Sequence, residues 1–195
     1  MNINPKLLKF GNMKIPTSTA IFDLPAVTTC PGSTPECRKH CYARKAERCY
    51  PSVLPFRQKN FTVTRTQEFT QEIQKELATK KKVDVVRIHS SGDFYNQRYY
   101  DKWVEITKMF PGLTFYAYTK NTKLDISKRP KNFIMLLSDD QQVYKDQWYK
   151  YNGVATVTPR KQQPDPNFTV CPGSCKSCTL CHSVIKDNRI TFLEH

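Results

Sequence analysis

The chain has 195 residues, of which 31 are lysine or arginine and 17 are aspartate or glutamate, so its formal charge at neutral pH is +14. The length predicts a single domain, since single-core domains usually have about 50 to 250 residues. The longest uninterrupted apolar run, Phe133 to Leu137, is far shorter than the roughly 20 residues that cross a bilayer. These features exclude a transmembrane helix, and the frequent aromatic residues argue against disorder.

The positive charge suggests a nucleic-acid partner, because clustered lysine and arginine side chains release counterions from phosphate. The only uninterrupted basic run is Lys80, Lys81 and Lys82, at the end of a predicted helix, where cations also interact favourably with the helix dipole. A solvated basic surface is the simpler explanation. The first residues contain no apolar segment of the kind found in signal peptides, so we expect a cytoplasmic protein with reduced thiols.

Apolar periodicity predicts the elements in chain order. The stretch from Ala20 to Val27 predicts the first strand, and the stripe formed by Phe69, Ile73 and Leu77 predicts a helix that begins at Thr64. A second helix is predicted after a cap at Asn96, and a weaker one is predicted over Asp139–Lys150. Four further strands are predicted over Val83–His89, Leu113–Thr119, Phe133–Leu137 and Val154–Val157.

This alternation predicts an α/β fold: a parallel sheet that curls like a partial (β/α) barrel with its helices outside. We expect one domain over 1–195, with the first strand and a cysteine loop in 1–60, the βαβ series in 61–158 and a cysteine-rich tail in 159–195. Polar residues follow the predicted strands, and in such sheets the site lies at the carboxyl ends of the strands.

Eight cysteines fall into two groups. Cys30, Cys37 and Cys41 form the first group, with spacings of six and three residues, and Cys49 follows later. In a cytosolic protein, grouped thiols are more often metal ligands than disulfides. Three thiolates can hold three irons of a cubane iron–sulfur cluster, which leaves the fourth iron open to another ligand. One alternative is a zinc site that is completed by a fourth ligand. The other is a set of buried thiols that bind no metal. We expect Cys49 to be a buried thiol and not a ligand.

The second group has four thiols in one short segment: Cys171, Cys175, Cys178 and Cys181. Their spacing is close to that of ferredoxin-type clusters, whereas a zinc ribbon separates two such pairs by a longer loop. Iron–sulfur binding is therefore favoured here, with zinc as the alternative. His182 follows directly and is a further candidate ligand.

Several stretches together resemble the phage gene product eighty-eight family: CPGSTPECRKHCYARKAE, VRIHSSGDFYN, FYAYTK, CPGSCKSCTLCH and ITFLEH. Members of that family are similar to radical S-adenosylmethionine enzymes, with a partial (β/α) barrel and iron–sulfur binding. The resemblance implies a viral protein, located in the cytoplasm of the infected cell or in the virion.

By this resemblance, Cys30, Cys37 and Cys41 would hold the cluster with an open iron, although their spacing departs from that of the radical enzymes. The four tail thiols would hold a structural or electron-transferring cluster. The resemblance also places Ser91, Gly92 and Asp93 where those enzymes bind the amino group of S-adenosylmethionine; a simple capping turn is the alternative. An iron–sulfur protein is thus the first hypothesis, and a zinc-stapled nucleic-acid-binding protein or a redox carrier is the second.

Overall fold

The fold is an α/β architecture built on one eight-stranded sheet. The structure is a computed structural model and describes residues 6–80, 82–140, 142–183 and 187–194; Lys81 of the basic run lies outside them. The strands are β1 (Leu8–Phe10), β2 (Thr19–Phe22), β3 (Val85–Ile88), β4 (Thr114–Thr119), β5 (Phe133–Ser138), β6 (Gly153–Thr158), β7 (Thr169–Val170) and β8 (Asn188–Leu193).

The strands lie in the order β1-β2-β3-β4-β5-β6-β8-β7, and every neighbouring pair is parallel except β1 with β2. The α-helices are α1 (Pro35–Lys39), α2 (Tyr42–Cys49), α3 (Val53–Thr64), α4 (Phe69–Ala78) and α5 (Gln97–Met109), with 3-10 helices at Lys145–Lys150 and Leu180–His182. The predicted α/β class with a mostly parallel sheet is confirmed.

Helices α4 and α5 pack on one face of the sheet, the helix face. The predicted stripe on α4 is fully or almost fully buried there, and so are Tyr99 and Trp103 of α5. Alternate strand residues such as Phe22, Phe115 and Met135 point to the same layer. This is the main hydrophobic core.

The opposite face, the inner face, is covered by the C-terminal cysteine segment, residues 171–182. Tyr116 and Tyr118 of β4 and Leu136 of β5 lie on this face, in contact with Cys171 and Cys181. The tail is therefore not an appendage of the sheet: it supplies the two strands at one edge and the cover of the inner face.

Two contacts show that the sheet curls towards its inner face. His40, in the loop after β2, places Nδ1 3.0 Å from the carboxylate of Glu194, directly after β8, although β2 and β8 are separated by four strands in the sheet order. The backbone N–H of Cys175 donates to the carbonyl of Lys14, in the turn before β2, at 2.8 Å. The cysteine segment thus spans the opening of a partial barrel.

Some predicted boundaries were wrong. The strand predicted over Ala20–Val27 is β2, and it ends at Phe22 instead of Val27. It ends there because the Asp23 carboxylate accepts hydrogen bonds from the loop after β3. Thr64 ends α3 and does not cap α4, since its hydroxyl donates to the carbonyl of Phe61. The helix expected over Asp139–Lys150 is reduced to the 3-10 helix at its end.

The cap predicted at Asn96 is confirmed: its side chain accepts from the N–H of Tyr99 at 2.9 Å. None of the helices in the described ranges combines the length and the apolar character that a membrane crossing requires.

Candidate functional site

The carboxyl ends of β2 and β3 are joined by the buried carboxylate of Asp23. It accepts hydrogen bonds from the N–H and hydroxyl of Ser90 at 2.8 and 2.6 Å and from the N–H of Ser91 at 3.0 Å. Burial alone would raise the pKa of Asp23, but the Lys9 ammonium at 2.5 Å and the Ser90 bond lower it below its ordinary value. Asp23 is therefore an ionised anchor at this edge.

The first cysteine loop, residues 30–41, packs directly on this edge. The N–H of Cys30 donates to the carbonyl of Val27, a β-branched residue with a φ of 66°, which is an unusual and strained conformation. A Cβ on Gly32 would lie 2.1 Å from the carbonyl oxygen of Lys120. Only glycine allows the loop to approach the end of β4 this closely.

Cys37 and Cys41, four residues apart, do not lie on one continuous helix. Thr34 caps α1 by accepting from the N–H of Cys37 at 3.1 Å, and α1 ends before His40. Cys41 then stands at the N-cap position of α2. The two thiols therefore belong to two short helices that meet at a bend.

The thiols of this loop lie close to one another and to charged side chains. Burial raises the pKa of Cys30 to about 12, and the neighbouring Asp93 carboxylate and the thiols of Cys37 and Cys41 contribute to this rise. Burial also raises the pKa of Cys37, which is opposed by the ammonium of Lys120. The loop thus gathers three half-buried thiols, and burial favours the protonated form of two of them, Cys30 and Cys37.

This loop lies beside Ser91, Gly92 and Asp93, and each of these three residues makes contacts that stabilise the fold. The Ser91 hydroxyl donates to the carbonyl of Leu24, and Gly92, at a φ of 85°, packs against Leu24. The Asp93 carboxylate accepts from the N–H groups of Phe94 and Lys120 and from the Thr119 hydroxyl. Burial raises the pKa of Asp93 to about 6 in spite of these bonds.

The second group of cysteines lies on the inner face. Burial raises the pKa of Cys181 to about 11, although the adjoining Tyr118 hydroxyl lowers it, and the thiols of Cys175 and Cys171 raise it further. Burial likewise raises the pKa of Cys175, opposed by the guanidinium of Arg87. The four thiols share one short segment on the inner face, over an aromatic surface and beside a cation.

The two groups of cysteines lie towards opposite ends of the strands. The first loop follows β2 at its carboxyl end, whereas Cys175 reaches the turn before β2. Our expectation that one end of the sheet gathers every reactive group was therefore wrong for the tail thiols.

The described residues contain no set of three or more histidine, cysteine, aspartate or glutamate side chains already arranged around a metal position. The donor chemistry of both groups nevertheless fits a thiolate-bound metal. Metal binding would require each segment to close around the metal.

The structure also places two residues near the cysteine groups, Cys49 and His182. Cys49, expected to be buried, is exposed at the end of α2. His182 is half-buried with its ring centroid 5.5 Å from that of Tyr116, and burial lowers its pKa.

Sequence reasoning missed the roles of Asp23 and Lys120. The ammonium of Lys120 lies 2.5 Å from Asp140 and 3.2 Å from the carbonyl of Ser138, so it links the ends of β4 and β5. Two features of the sequence could have indicated the role of Asp23. It is an acidic residue directly after the apolar residues of β2, and two serines, Ser90 and Ser91, follow the apolar run of β3. Arg87 was recognised only as a strand residue, and it lies on the inner face, over the rings of Tyr116 and Tyr118.

Comparison with known proteins identifies relatives among phage proteins. The chain is 26% identical over 171 residues to the Gene 88 protein of Mycobacterium phage L5, covering 78% of this chain and 72% of that protein. It is 31% identical over 102 residues to the Gene 88 protein of Mycobacterium phage D29, covering 47% and 42%. No solved structure matches the chain. The family model described as Gene product 88 matches residues 3–191, so the chain belongs to the Gene product 88 family.

Proposed function

We propose that this phage protein binds iron–sulfur clusters through its two groups of cysteines. Cys30, Cys37 and Cys41 would hold one cluster at the carboxyl edge of the sheet. Cys171, Cys175, Cys178 and Cys181 would hold the other on the inner face. When bound, such clusters supply one-electron transfer.

The observation that carries this proposal is the mutual proximity of the thiols within each group. Cys37 and Cys41 lie close enough to Cys30, and Cys171 and Cys178 to Cys175, to raise the pKa of that thiol. Backbone bonds such as that from Cys175 to Lys14 hold the segments in place. Two separate groups of thiols in one chain are more typical of metal ligands than of unrelated cysteines.

The test is anaerobic purification followed by analysis of iron, acid-labile sulfide and zinc. The wild-type protein should be brown and contain iron with sulfide. The triple variant Cys30→Ser/Cys37→Ser/Cys41→Ser and the quadruple variant with serine at the four tail cysteines should each lose one cluster and retain the other. A colourless, folded protein with stoichiometric zinc and no sulfide would overturn the proposal and favour the zinc-stapled alternative.

Binding of S-adenosylmethionine, and with it the radical-enzyme part of the hypothesis, stays a prediction that rests on Asp93. Its carboxylate already accepts three hydrogen bonds from the protein, and a carboxylate has about four acceptor sites. One site remains for an ammonium group. The test is the electron paramagnetic resonance spectrum of the reduced protein with and without S-adenosylmethionine; an unchanged spectrum contradicts binding at the cluster.

A second candidate function, nucleic-acid binding, is favoured by the surface of α2. Arg44, Lys45 and Arg48 are exposed there. The one acidic residue of the helix, Glu47, turns inward, where it accepts from the N–H of Ala26 and pairs with Arg57 at 2.9 Å. The exposed face of α2 therefore carries cations without a compensating carboxylate of its own, as expected for a phosphate-binding surface.

Fluorescence anisotropy with labelled single-stranded and duplex DNA tests this second candidate. The variant Arg44→Ala/Lys45→Ala/Arg48→Ala should bind more weakly and with a smaller salt dependence, since each lost phosphate contact reduces the slope by about 0.7 to 0.9. The control is Lys123→Ala/Lys128→Ala/Lys131→Ala, which removes three exposed lysines elsewhere. Equal losses in the two variants would show that only net charge matters.

A further inference from the structure

Arg87 is a cation on the inner face of the sheet that has no ion-pair partner within the described ranges. Its guanidinium carbon lies 6.0 Å from the ring centroid of Tyr116 and 5.9 Å from that of Tyr118. Its Nε atom is completely buried and makes no hydrogen bond to any described residue. Buried charges are normally paired. Arg87 as a whole is only partly buried, so its buried and unpartnered Nε points to an anion on the inner face as the partner of its guanidinium.

The neighbouring side chains do not provide that anion. Burial raises the pKa of Tyr116 to about 12 and that of Tyr118 well above its ordinary value, so both phenols are neutral at physiological pH. The carboxylate of Asp23 influences the pKa of Arg87, but its oxygens already accept hydrogen bonds from Lys9, Ser90 and Ser91.

The thiols of Cys175 and Cys181 lie in the segment that covers the same face, and the guanidinium lowers the pKa of both. Four thiolates outweigh the positive charge of an oxidised cubane core or of a zinc ion, so a metal site formed by the tail cysteines is anionic. The strand that carries Arg87, β3, pairs with β4, whose Tyr116 and Tyr118 pack in one cluster with Cys171 and Cys181 of the tail.

We propose that Arg87 is the countercharge of the metal site formed by Cys171, Cys175, Cys178 and Cys181. This inference rests on the proposed function and deepens it: Arg87 is a positioning residue that holds no metal itself. The guanidinium stabilises the anionic site, and it stabilises the reduced form more than the oxidised form because reduction adds a negative charge.

The experiment uses the full chain with Cys30, Cys37 and Cys41 replaced by serine, so that only the tail site binds metal. In this background, Arg87→Met removes the charge and keeps an apolar side chain against the two tyrosine rings. Arg87→Lys keeps the charge. The control Arg189→Met removes an exposed arginine from β8 of the same sheet, 5.5 Å from the Trp148 ring centroid.

The measurements are iron affinity by chelator competition, the midpoint potential of the tail cluster and circular dichroism of the metal-free protein. We expect Arg87→Met to weaken metal binding by about tenfold or more, an effect on the scale of a partly buried charge interaction, and to make the potential more negative. Arg87→Lys should restore most of both properties, and Arg189→Met should match its parent.

The outcomes separate the two proposals. If the parent binds no metal through its tail cysteines, the proposed function fails at this site and the countercharge role fails with it. If the parent binds metal and Arg87→Met has the same affinity and potential, only the countercharge role is overturned. If the metal-free Arg87→Met protein is unfolded, Arg87→Gln is used in its place. Equal losses of iron affinity in Arg87→Gln and Arg87→Lys would then overturn the countercharge role.

Discussion

The carboxylate of Asp23 accepts two hydrogen bonds from one residue, Ser90, through its N–H at 2.8 Å and its hydroxyl at 2.6 Å. The Asp23 side chain is fully buried, and these bonds join the ends of β2 and β3 directly below the first cysteine loop. The position of that loop therefore depends on a charged group that is not itself a candidate ligand.

Replacing Asp23 with asparagine should destabilise the protein by about 1 to 3 kcal/mol, because it removes the charge from the buried hydrogen bonds with Ser90 and Ser91. Loss of the pair with Lys9 contributes less, since the Lys9 side chain is 44% exposed. Urea unfolding measures the change. Asp101→Asn is the matched control: among the described residues this exposed carboxylate accepts from Gln97 alone, and its loss should change stability by less than about 0.5 kcal/mol. Similar effects of the two substitutions would contradict the anchoring role of Asp23.

Gly32→Ala should displace the first cysteine loop, since the new methyl group would lie 2.1 Å from the carbonyl oxygen of Lys120. We expect a loss of about 1 to 3 kcal/mol in stability and reduced iron at the first group, with the tail cluster retained. Unfolding curves and iron content measure the two effects.

Gly112→Ala is the control for this substitution, because no atom of the part of the chain that the structure describes lies within 4 Å of a Cβ at that position. It should leave iron content unchanged. A Gly32→Ala protein that keeps full iron and wild-type stability would show that the loop can shift away from β4 without consequence.

The sequence predicted the parts of the fold that depend on local periodicity. The buried stripe of Phe69, Ile73 and Leu77 and the cap at Asn96 follow from helix geometry alone. The apolar run of β5 is typical of a parallel strand covered on both faces. These features require no knowledge of distant contacts.

Features that depend on long-range contacts were not predictable. Strand alternation alone would place Arg87 and His89 on one face, but His89 has a φ of 68°, and its ring packs 4.7 Å from that of Phe94 on the helix face. Nothing local indicates this reversal. In the same way, the pairing of β8 between β6 and β7 places the tail thiols on the inner face only once the whole sheet is formed.

Serine substitutions should distinguish the thiols of the first group from Cys49. Cys30→Ser, Cys37→Ser and Cys41→Ser should each lower iron content by about one cluster, that is, by up to about four iron atoms. Cys49→Ser should keep wild-type iron, because this exposed thiol lies at the far end of α2 from Cys41. Iron loss in Cys49→Ser alone would identify it as a ligand.

His89 should make the protein less stable in acid. Burial lowers the pKa of His89 from its ordinary value of 6.5 to about 3, and its Nε2 lies 2.8 Å from the Tyr99 hydroxyl. Between these two pH values the unfolded chain binds a proton at this histidine and the folded protein does not. Stability is therefore lost as the pH falls below 6.5, with a limiting slope of about 1.4 kcal/mol per pH unit from this group.

The test compares urea unfolding of the wild type and of His89→Asn at pH 7.5 and pH 5. Asparagine does not titrate and tolerates a positive φ. The variant should be less stable at pH 7.5, since it loses the bond to Tyr99, but between the two pH values the wild type should lose about 2 kcal/mol more than the variant. The raised pKa of Asp93 has the opposite effect, because it stabilises the folded protein as the pH falls. This effect is the same in both proteins and cancels when their stabilities are compared. Parallel stability curves for the two proteins would show that His89 has the same pKa in the folded and the unfolded state.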